Sequence, residues 1–122
     1  MTDQRIIIEM GMGNDLHGMD YTKAALRAIE DAFRHSSLPL FSSLGMDHAE
    51  MRVQVTVAVQ QPDKLDLAIL TAKLPRGQVT VTAVKGGLNV ENPENNDTIV
   101  IATAAVEAFL PNQSAKWQLT KT

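Results

Sequence analysis

The sequence predicts an α+β domain of two layers, in which two helices cover one face of a mixed β-sheet. Two patterns support this fold class: one segment carries apolar residues at helical spacing, and another alternates apolar and polar residues strictly. A third observation is the length of 122 residues, which is typical of one domain. No internal repeat or linker divides the chain. We therefore expect residues 1–122 to form one domain, with residues 112–122 as a loosely ordered tail.

The predicted elements follow the order β-α-β-α-β-β-β. The first strand spans residues 5–10 (RIIIEM), an apolar, β-branched run that predicts burial on both faces and ends at Gly11. The first helix spans residues 21–35, with Asp20 as its N-cap. The larger apolar residues of this helix share one stripe, formed by Leu26, Ile29 and Phe33.

The second strand spans residues 51–60, where apolar and mostly polar residues alternate, which predicts one solvated face. A second helix follows at residues 62–74, opened by Pro62 and closed by Pro75. Another strand is predicted at residues 78–85, and a turn at Gly86 and Gly87 leads into a short strand at residues 88–90. Strand-helix-strand units return the chain to the same sheet, so they predict parallel strand pairs across both helices.

Residues 98–110 (TIVIATAAVEAFL) leave two interpretations open. Their β-branched start favours a strand, whereas their Ala-rich end is also compatible with a helix. Because the neighbouring segments read as strands, the pattern favours a long central strand over the whole segment.

Composition excludes several classes of protein. The chain carries 11 Lys and Arg against 14 Asp and Glu, a net charge of −3, which argues against a nucleic-acid partner. It has no cysteine, which excludes a disulfide scaffold and a thiol nucleophile. It shows neither a long apolar run nor an export signal, so we expect no membrane partner and a cytoplasmic location.

Polar residues on the predicted strands point to self-association. One side of the sheet would carry Gln54, Thr56, Thr80 and Thr82 without a helix to cover them. Such a face suits close packing of sheet against sheet, so we predict a homo-oligomer, with a trimer favoured and the open faces turned inward. The alternative is a monomer with one solvated face.

The segment of residues 11–20 (GMGNDLHGMD) is the predicted functional loop. Gly11 and Gly13 would let the backbone approach a ligand, and Asn14 would contact it. Free amides at a helix start attract anions, which favours a small anionic or polar metabolite. Asp15 and His17 are two residues apart, so in an extended stretch their side chains would point the same way.

This spacing supports two chemistries. Asp15 and His17 would share a divalent metal such as zinc, with His48 as third ligand, or Asp15 would orient His17 as a general base. Lys23 would stabilise negative charge, and Asp20 and Thr22 would contact the ligand. The structural alternatives are that Asp15 binds loop amides, Asp20 caps the helix and Lys23 is simply solvated.

The segment of residues 11–25, GMGNDLHGMDYTKAA, resembles the signature of a family of small uncharacterised bacterial proteins, G-M-G-x-D-L-H-G-x-D-x-T-K-A-A. The likeness continues through residues 37–39 and 97–102. It implies that Asp15, His17, Asp20, Thr22 and Lys23 belong to the shared pattern of the family, and it implies no activity.

A shorter stretch resembles methylerythritol cyclodiphosphate synthase, a trimeric zinc enzyme with a G-x-G-x-D-x-H loop. The matching residues are Gly11, Gly13, Asp15 and His17. This resemblance implies zinc at Asp15 and His17. A looser similarity is to trimeric α+β folds of the chorismate-mutase and ring-opening amidohydrolase kind, whose sites lie between subunits.

The sequence therefore leads to two functional hypotheses. The first is a small-metabolite-binding protein or enzyme whose site lies at residues 11–23, with or without a metal. The second is a non-catalytic oligomeric binding or assembly module in which the glycine loop is structural. Whether the protein is an enzyme is left open.

Overall fold

The computed structural model describes residues 3–34, 51–74, 78–94 and 96–111. These form a mixed five-stranded sheet with its helices on one face, which confirms the predicted α+β class. The elements are β1 (Asp3–Asp15), α1 (Tyr21–Arg34), β2 (Arg52–Val59), a 3-10 turn (Pro62–Lys64), α2 (Leu67–Ala72), β3 (Gln78–Lys85), β4 (Leu88–Asn92) and β5 (Asp97–Pro111). His35, His48 and the predicted tail at residues 112–122 lie outside the described residues.

The long strand β5 organises the sheet, whose order is β1-β5-β2-β3 with β4 also paired to β5. β5 runs antiparallel to β1, β2 and β4, and β2 runs parallel to β3. The parallel pair predicted across the second helix is therefore confirmed. The pair predicted across α1 is wrong, because β5 lies between β1 and β2 and forms the hydrogen bonds of both.

Strict alternation of burial shows why β5 is a strand rather than a helix. Its even-numbered side chains from Val100 to Leu110 are buried under the helices, and its odd-numbered side chains face away from them. The alanines that suggested a helix, such as Ala102 and Ala104, are the small side chains that let α1 lie close to the sheet.

α1 covers β1 and β5 through an alanine-rich stripe, formed by Ala24, Ala25, Ala28 and Ala32 together with Ile29. The core also contains the alternating valines of β2, and Leu70 and Leu74 from the second helical region. That region is shorter than predicted, because α2 begins after Asp66, whose carboxylate accepts a hydrogen bond from the Ile69 N–H at 3.2 Å. No helix within the described ranges is long and apolar enough to span a membrane.

β1 extends to Asp15, five residues beyond the predicted end, because Gly11 and Gly13 belong to the strand. Their positions pair with Ala104 and Ala102 of β5 without a break in register. A Cβ atom at Gly11 would lie 2.3 Å from the Ala28 carbonyl oxygen, and one at Gly13 would lie 2.3 Å from the Ala28 nitrogen. The glycines are therefore needed because the backbone of α1 touches the backbone of β1 there.

The prediction that this first strand is buried on both faces is wrong for the described structure. Ile8, Met10 and Met12 are 42%, 68% and 58% exposed, on the side of the sheet opposite the helices. Leu88 and Val90 of β4 pair with Ile101 and Ile99, so the exposed side chains of β4 lie on that same side. We call this side the open face; among the described residues, no helix covers it.

Candidate functional site

The turn at residues 16–20 joins β1 to α1 and is closed by Asp15. The Asp15 side chain is only 4% exposed, and its Oδ2 accepts a hydrogen bond from the Asp20 N–H at 2.9 Å. Its Oδ1 lies 3.9 Å from Lys23 Nζ and 3.8 Å from Arg27 Nη1. One buried carboxylate therefore holds both ends of the turn and faces two cations on the first two turns of α1.

Asp20 is the N-cap of α1, as predicted. Its Oδ1 accepts a hydrogen bond from the Lys23 N–H at 3.0 Å, and its own carbonyl accepts the first helical bond, from Ala24. The Thr22 hydroxyl accepts a hydrogen bond from the Asp66 N–H at 3.0 Å, which ties α1 to the start of α2. A carboxylate thus already occupies the helix start, so an anion would have to bind through side chains instead of the free amides.

The remaining residues predicted to bind a ligand lie in β1. Gly11 and Gly13 face α1, where its backbone fills the space beside them. The carbonyl of Asn14 accepts a hydrogen bond from Arg27 Nη1 at 2.6 Å, and the N–H of Met12 donates to Asp31 Oδ2 at 3.0 Å. Side chains of α1 therefore bind backbone groups of β1. The presence of glycine at positions 11 and 13 is explained by close packing of β1 against α1.

His17 pairs with Asp97 instead of Asp15. The distance between His17 Nδ1 and Asp97 Oδ2 is 2.7 Å, and the His17 side chain is 75% exposed, whereas that of Asp97 is 26% exposed. Asp97 Oδ1 also accepts a hydrogen bond from the Thr98 N–H at 2.9 Å. Asp97 lines a polar pocket of about 300 Å³ at the turn between β4 and β5.

The surroundings of Asp97 favour its ionised form. The hydrogen bond from the His17 side chain is the main cause that holds the pKa of Asp97 below its ordinary value of 3.8, and the backbone N–H of Thr98 adds to it. The positive charge of a protonated His17 and the N–H of Gly18 act in the same direction, and only desolvation opposes them. Asp97 is therefore a carboxylate at neutral pH, and it accepts hydrogen bonds from the turn as well as from the imidazole.

Sequence reasoning missed Asp97 and Arg27 as members of this site. Asp97 is separated from His17 by 80 positions, so no local spacing connects them. The available signal was the continuation of the family-like pattern into residues 97–102. Arg27 lies opposite the apolar stripe of the first helix, so the sequence pattern indicates only a solvent-facing residue. Its 3.8 Å distance to Asp15 follows from the course of β1 beneath α1.

The metal ligands proposed from the sequence have other partners here. Asp15 contacts the Asp20 N–H and the two cations, and His17 contacts Asp97. In the ranges that the structure describes, no three His, Asp or Glu residues are grouped as a metal site would require. His48 lies outside those ranges, so metal binding by Asp15, His17 and His48 stays a prediction.

Comparisons with known proteins identify relatives of the chain without an assigned activity. A family model described as "Conserved hypothetical protein (Lin0512_fam)" matches residues 5–108. The crystal structure of a FtsZ-like protein of unknown function from Nostoc punctiforme is similar, with 41% sequence identity and a TM-score of 0.79. The match covers 92% of this chain and 99% of that one. Among curated proteins, none matches the chain.

Proposed function

The chain belongs to the conserved hypothetical Lin0512_fam family, and we propose that it binds a small anionic or polar metabolite at the turn between β1 and α1. The observation that carries this proposal is the charge arrangement around Asp15. Lys23 and Arg27 share this single buried carboxylate, at 3.9 Å and 3.8 Å, and their side chains are 53% and 46% exposed.

Lys23 and Arg27 leave cationic donors at the surface, beside the buried Asp15 carboxylate and the Asp20 carboxylate that caps the helix. The distances are longer than those of direct charge-assisted hydrogen bonds, so the three N–H donors of Lys23 are not used up by Asp15. Arg27 donates from Nη1 to the Asn14 carbonyl, and its guanidinium has further N–H donors. Carboxylate or phosphate groups are the partners that such donors prefer.

We expect inorganic phosphate, pyrophosphate or a dicarboxylate to shift the backbone amide NMR signals of residues 16–27 in a saturable way. The double variant Lys23→Ala, Arg27→Ala should weaken this binding about tenfold or more, because it removes both cations. Lys64→Ala is the matched control, since it removes an exposed lysine of the 3-10 turn. Equal affinity in the double variant and the control would contradict the proposal.

Zinc remains a separate part of the proposal, because the D-x-H spacing and the resemblance to methylerythritol cyclodiphosphate synthase support it. Elemental analysis of the protein purified without a His-tag or chelator, beside the His17→Ala variant, tests this point. Near-stoichiometric metal that is lost in the variant would support the ligand role of His17 and extend the site to hydrolytic or lyase chemistry. A metal-free protein would restrict the site to simple binding or metal-free acid–base chemistry.

The second candidate function is a homo-oligomeric assembly module, and the open face favours it. Ile8, Met10, Met12, Leu88 and Val90 are all between 39% and 68% exposed on this face. On the same face Arg5 pairs with Glu107 at 3.1 Å, and Arg52 stacks over Phe109 at 4.0 Å. Apolar surface whose cations have partners within the chain suits packing against copies of the chain, with a trimer favoured.

We expect Met10→Lys to convert the assembled protein to monomer at micromolar concentration, because the substitution would bury a charge between open faces. Size-exclusion chromatography with light scattering gives the mass of each form. Ala68→Lys adds the same charge on the exposed part of α2 and should leave the mass unchanged. A monomeric wild-type protein, or an oligomer that Met10→Lys leaves intact, would argue against assembly through this face.

A further inference from the structure

We propose that the outer edge of β3 pairs with the same edge of a second copy of the chain, antiparallel and about a two-fold axis at Val81. The two sheets would join into one continuous sheet through this pairing. This edge is distinct from the turn at residues 16–20 and from the apolar part of the open face, so the pairing goes beyond both proposed functions.

β3 is an edge strand, because among the described residues it is hydrogen-bonded to β2 alone. The N–H of Gln78 donates to the Met51 carbonyl at 2.9 Å, which identifies the even-numbered residues of β3 as those that bond to β2. The backbone N–H and C=O groups of Val79, Val81 and Ala83 therefore point away from the sheet. Such a row of outward groups is a template for another strand.

The opposite edge of the sheet, formed by β1, is shielded in two ways. Side chains of α1 bind the N–H of Met12 and the carbonyl of Asn14, and the register is irregular between Arg5 and Ile7. β3 instead keeps an unbroken register with β2, and its sequence QVTVTAVK contains no proline and one charged residue, Lys85. Proline, charges and bulges are the usual protection of an edge strand, so the edge of β3 suits a partner strand.

The sequence of β3 is complementary to itself in this register. With the axis at Val81, Val79 of one copy lies beside Ala83 of the other, on the side of the sheet that packs against the core. Thr80 of one copy lies beside Thr82 of the other on the open face, where Thr–Thr pairs are favourable. The outward groups of each copy would form about six backbone hydrogen bonds with those of the other.

Charge does not oppose this pairing. Lys85 is the one charged residue of β3 and lies at its end. The antiparallel arrangement places the two Lys85 side chains at opposite ends of the paired strands, roughly 26 Å apart. This separation exceeds the screening length of about 8 Å at physiological salt, so repulsion between the two lysines is small.

The helix that covers β3 carries exposed apolar side chains. α2 packs on β3, and its Leu67 and Ile69 are 39% and 46% exposed. Because the two-fold axis is perpendicular to the sheet, the pairing brings the second α2 to the same side as the first and buries apolar surface near the axis. The edge is only about 26 Å long, so the total buried area stays below the roughly 1,200 Å² of stable interfaces. We therefore expect weak association, with a dissociation constant of about 0.1 mM or higher.

The experiment measures the mass of the full-length Met10→Lys protein by sedimentation equilibrium between about 0.01 and 1 mM. The lysine opposes packing through the open face, so the edge of β3 is tested by itself. We expect the mass to rise towards that of a dimer, and Ala83→Pro in this background to weaken association about tenfold or more. Proline removes an N–H that points outward, so the bonds to β2 persist. Ala83→Val keeps this N–H and is the matched control.

Two further variants test the register without proline. Thr80→Lys, Thr82→Lys places like charges opposite each other in the two copies and should abolish the association. Thr80→Lys, Thr82→Glu places opposite charges there and should restore it. Circular dichroism of each variant verifies that the chain is folded.

Amide hydrogen exchange provides a readout at single residues. The outward N–H groups of Val79, Val81 and Ala83 should exchange quickly in dilute protein and slowly in concentrated protein. A mass that stays that of a monomer, or association that Ala83→Pro and the two-lysine variant both leave intact, overturns the pairing. Outward amides that are protected already in the dilute monomer also overturn it, because another part of the chain would then cover this edge.

Discussion

Gly13→Ala is expected to destabilise the protein by about 3 kcal/mol, the upper part of the range for overpacking a close contact. The new Cβ would lie 2.3 Å from the Ala28 nitrogen and 2.5 Å from the Ala24 carbonyl oxygen. Both are backbone atoms of α1, so no side chain can rotate away and the helix itself has to shift. Such a shift would also disturb the alanine stripe that packs on β5.

Urea unfolding followed by circular dichroism measures this loss. Met12→Ala is the appropriate control, because it changes the neighbouring residue of β1 on the open face, where the side chain is 58% exposed. We expect the control to change stability by less than about 0.5 kcal/mol. If Gly13→Ala were as stable as Met12→Ala, packing against α1 would not require the glycine. The hypothesis that Gly13 lets the backbone approach a ligand would then gain support.

Asp15→Ala is expected to cost about 2 to 3 kcal/mol, because it removes a buried acceptor and leaves the Asp20 N–H without its partner. It also removes the carboxylate that balances Lys23 and Arg27 at the surface of the helix. His17→Ala, by contrast, should change the free energy of unfolding by less than about 1 kcal/mol, since its side chain is largely exposed.

Parallel thermal and urea unfolding of the two variants tests this difference. A small loss in His17→Ala would show that the His17–Asp97 pair is not needed for the fold. A loss as large as that of Asp15→Ala would instead make the His17–Asp97 pair a structural clasp, which is what the assembly hypothesis expects. The expected result would assign Asp15 to the shape of the turn and leave His17 free of a structural role.

The sequence by itself determined the class and order of the elements. The 3.6-residue stripe of α1 and the alternation in β2 are local patterns that reflect burial of one face, so they are visible without knowledge of the fold. Asp20 could be identified as the N-cap for the same reason, because capping involves residues within one turn of the helix. Asp15 and Lys23 could also be placed together from the sequence, because they flank the same short turn, and their side chains lie 3.9 Å apart.

Only the tertiary structure decided what these residues contact. In the sequence, Gly11 and Gly13 indicate the end of a strand. Their role inside β1 follows only from the backbone of α1, which lies against them. The insertion of β5 between β1 and β2 depends on pairing between distant segments, and it is the start of β5 that brings Asp97 to His17. Local patterns record which face of an element is buried, whereas the identity of its neighbour depends on contacts between positions far apart in the chain.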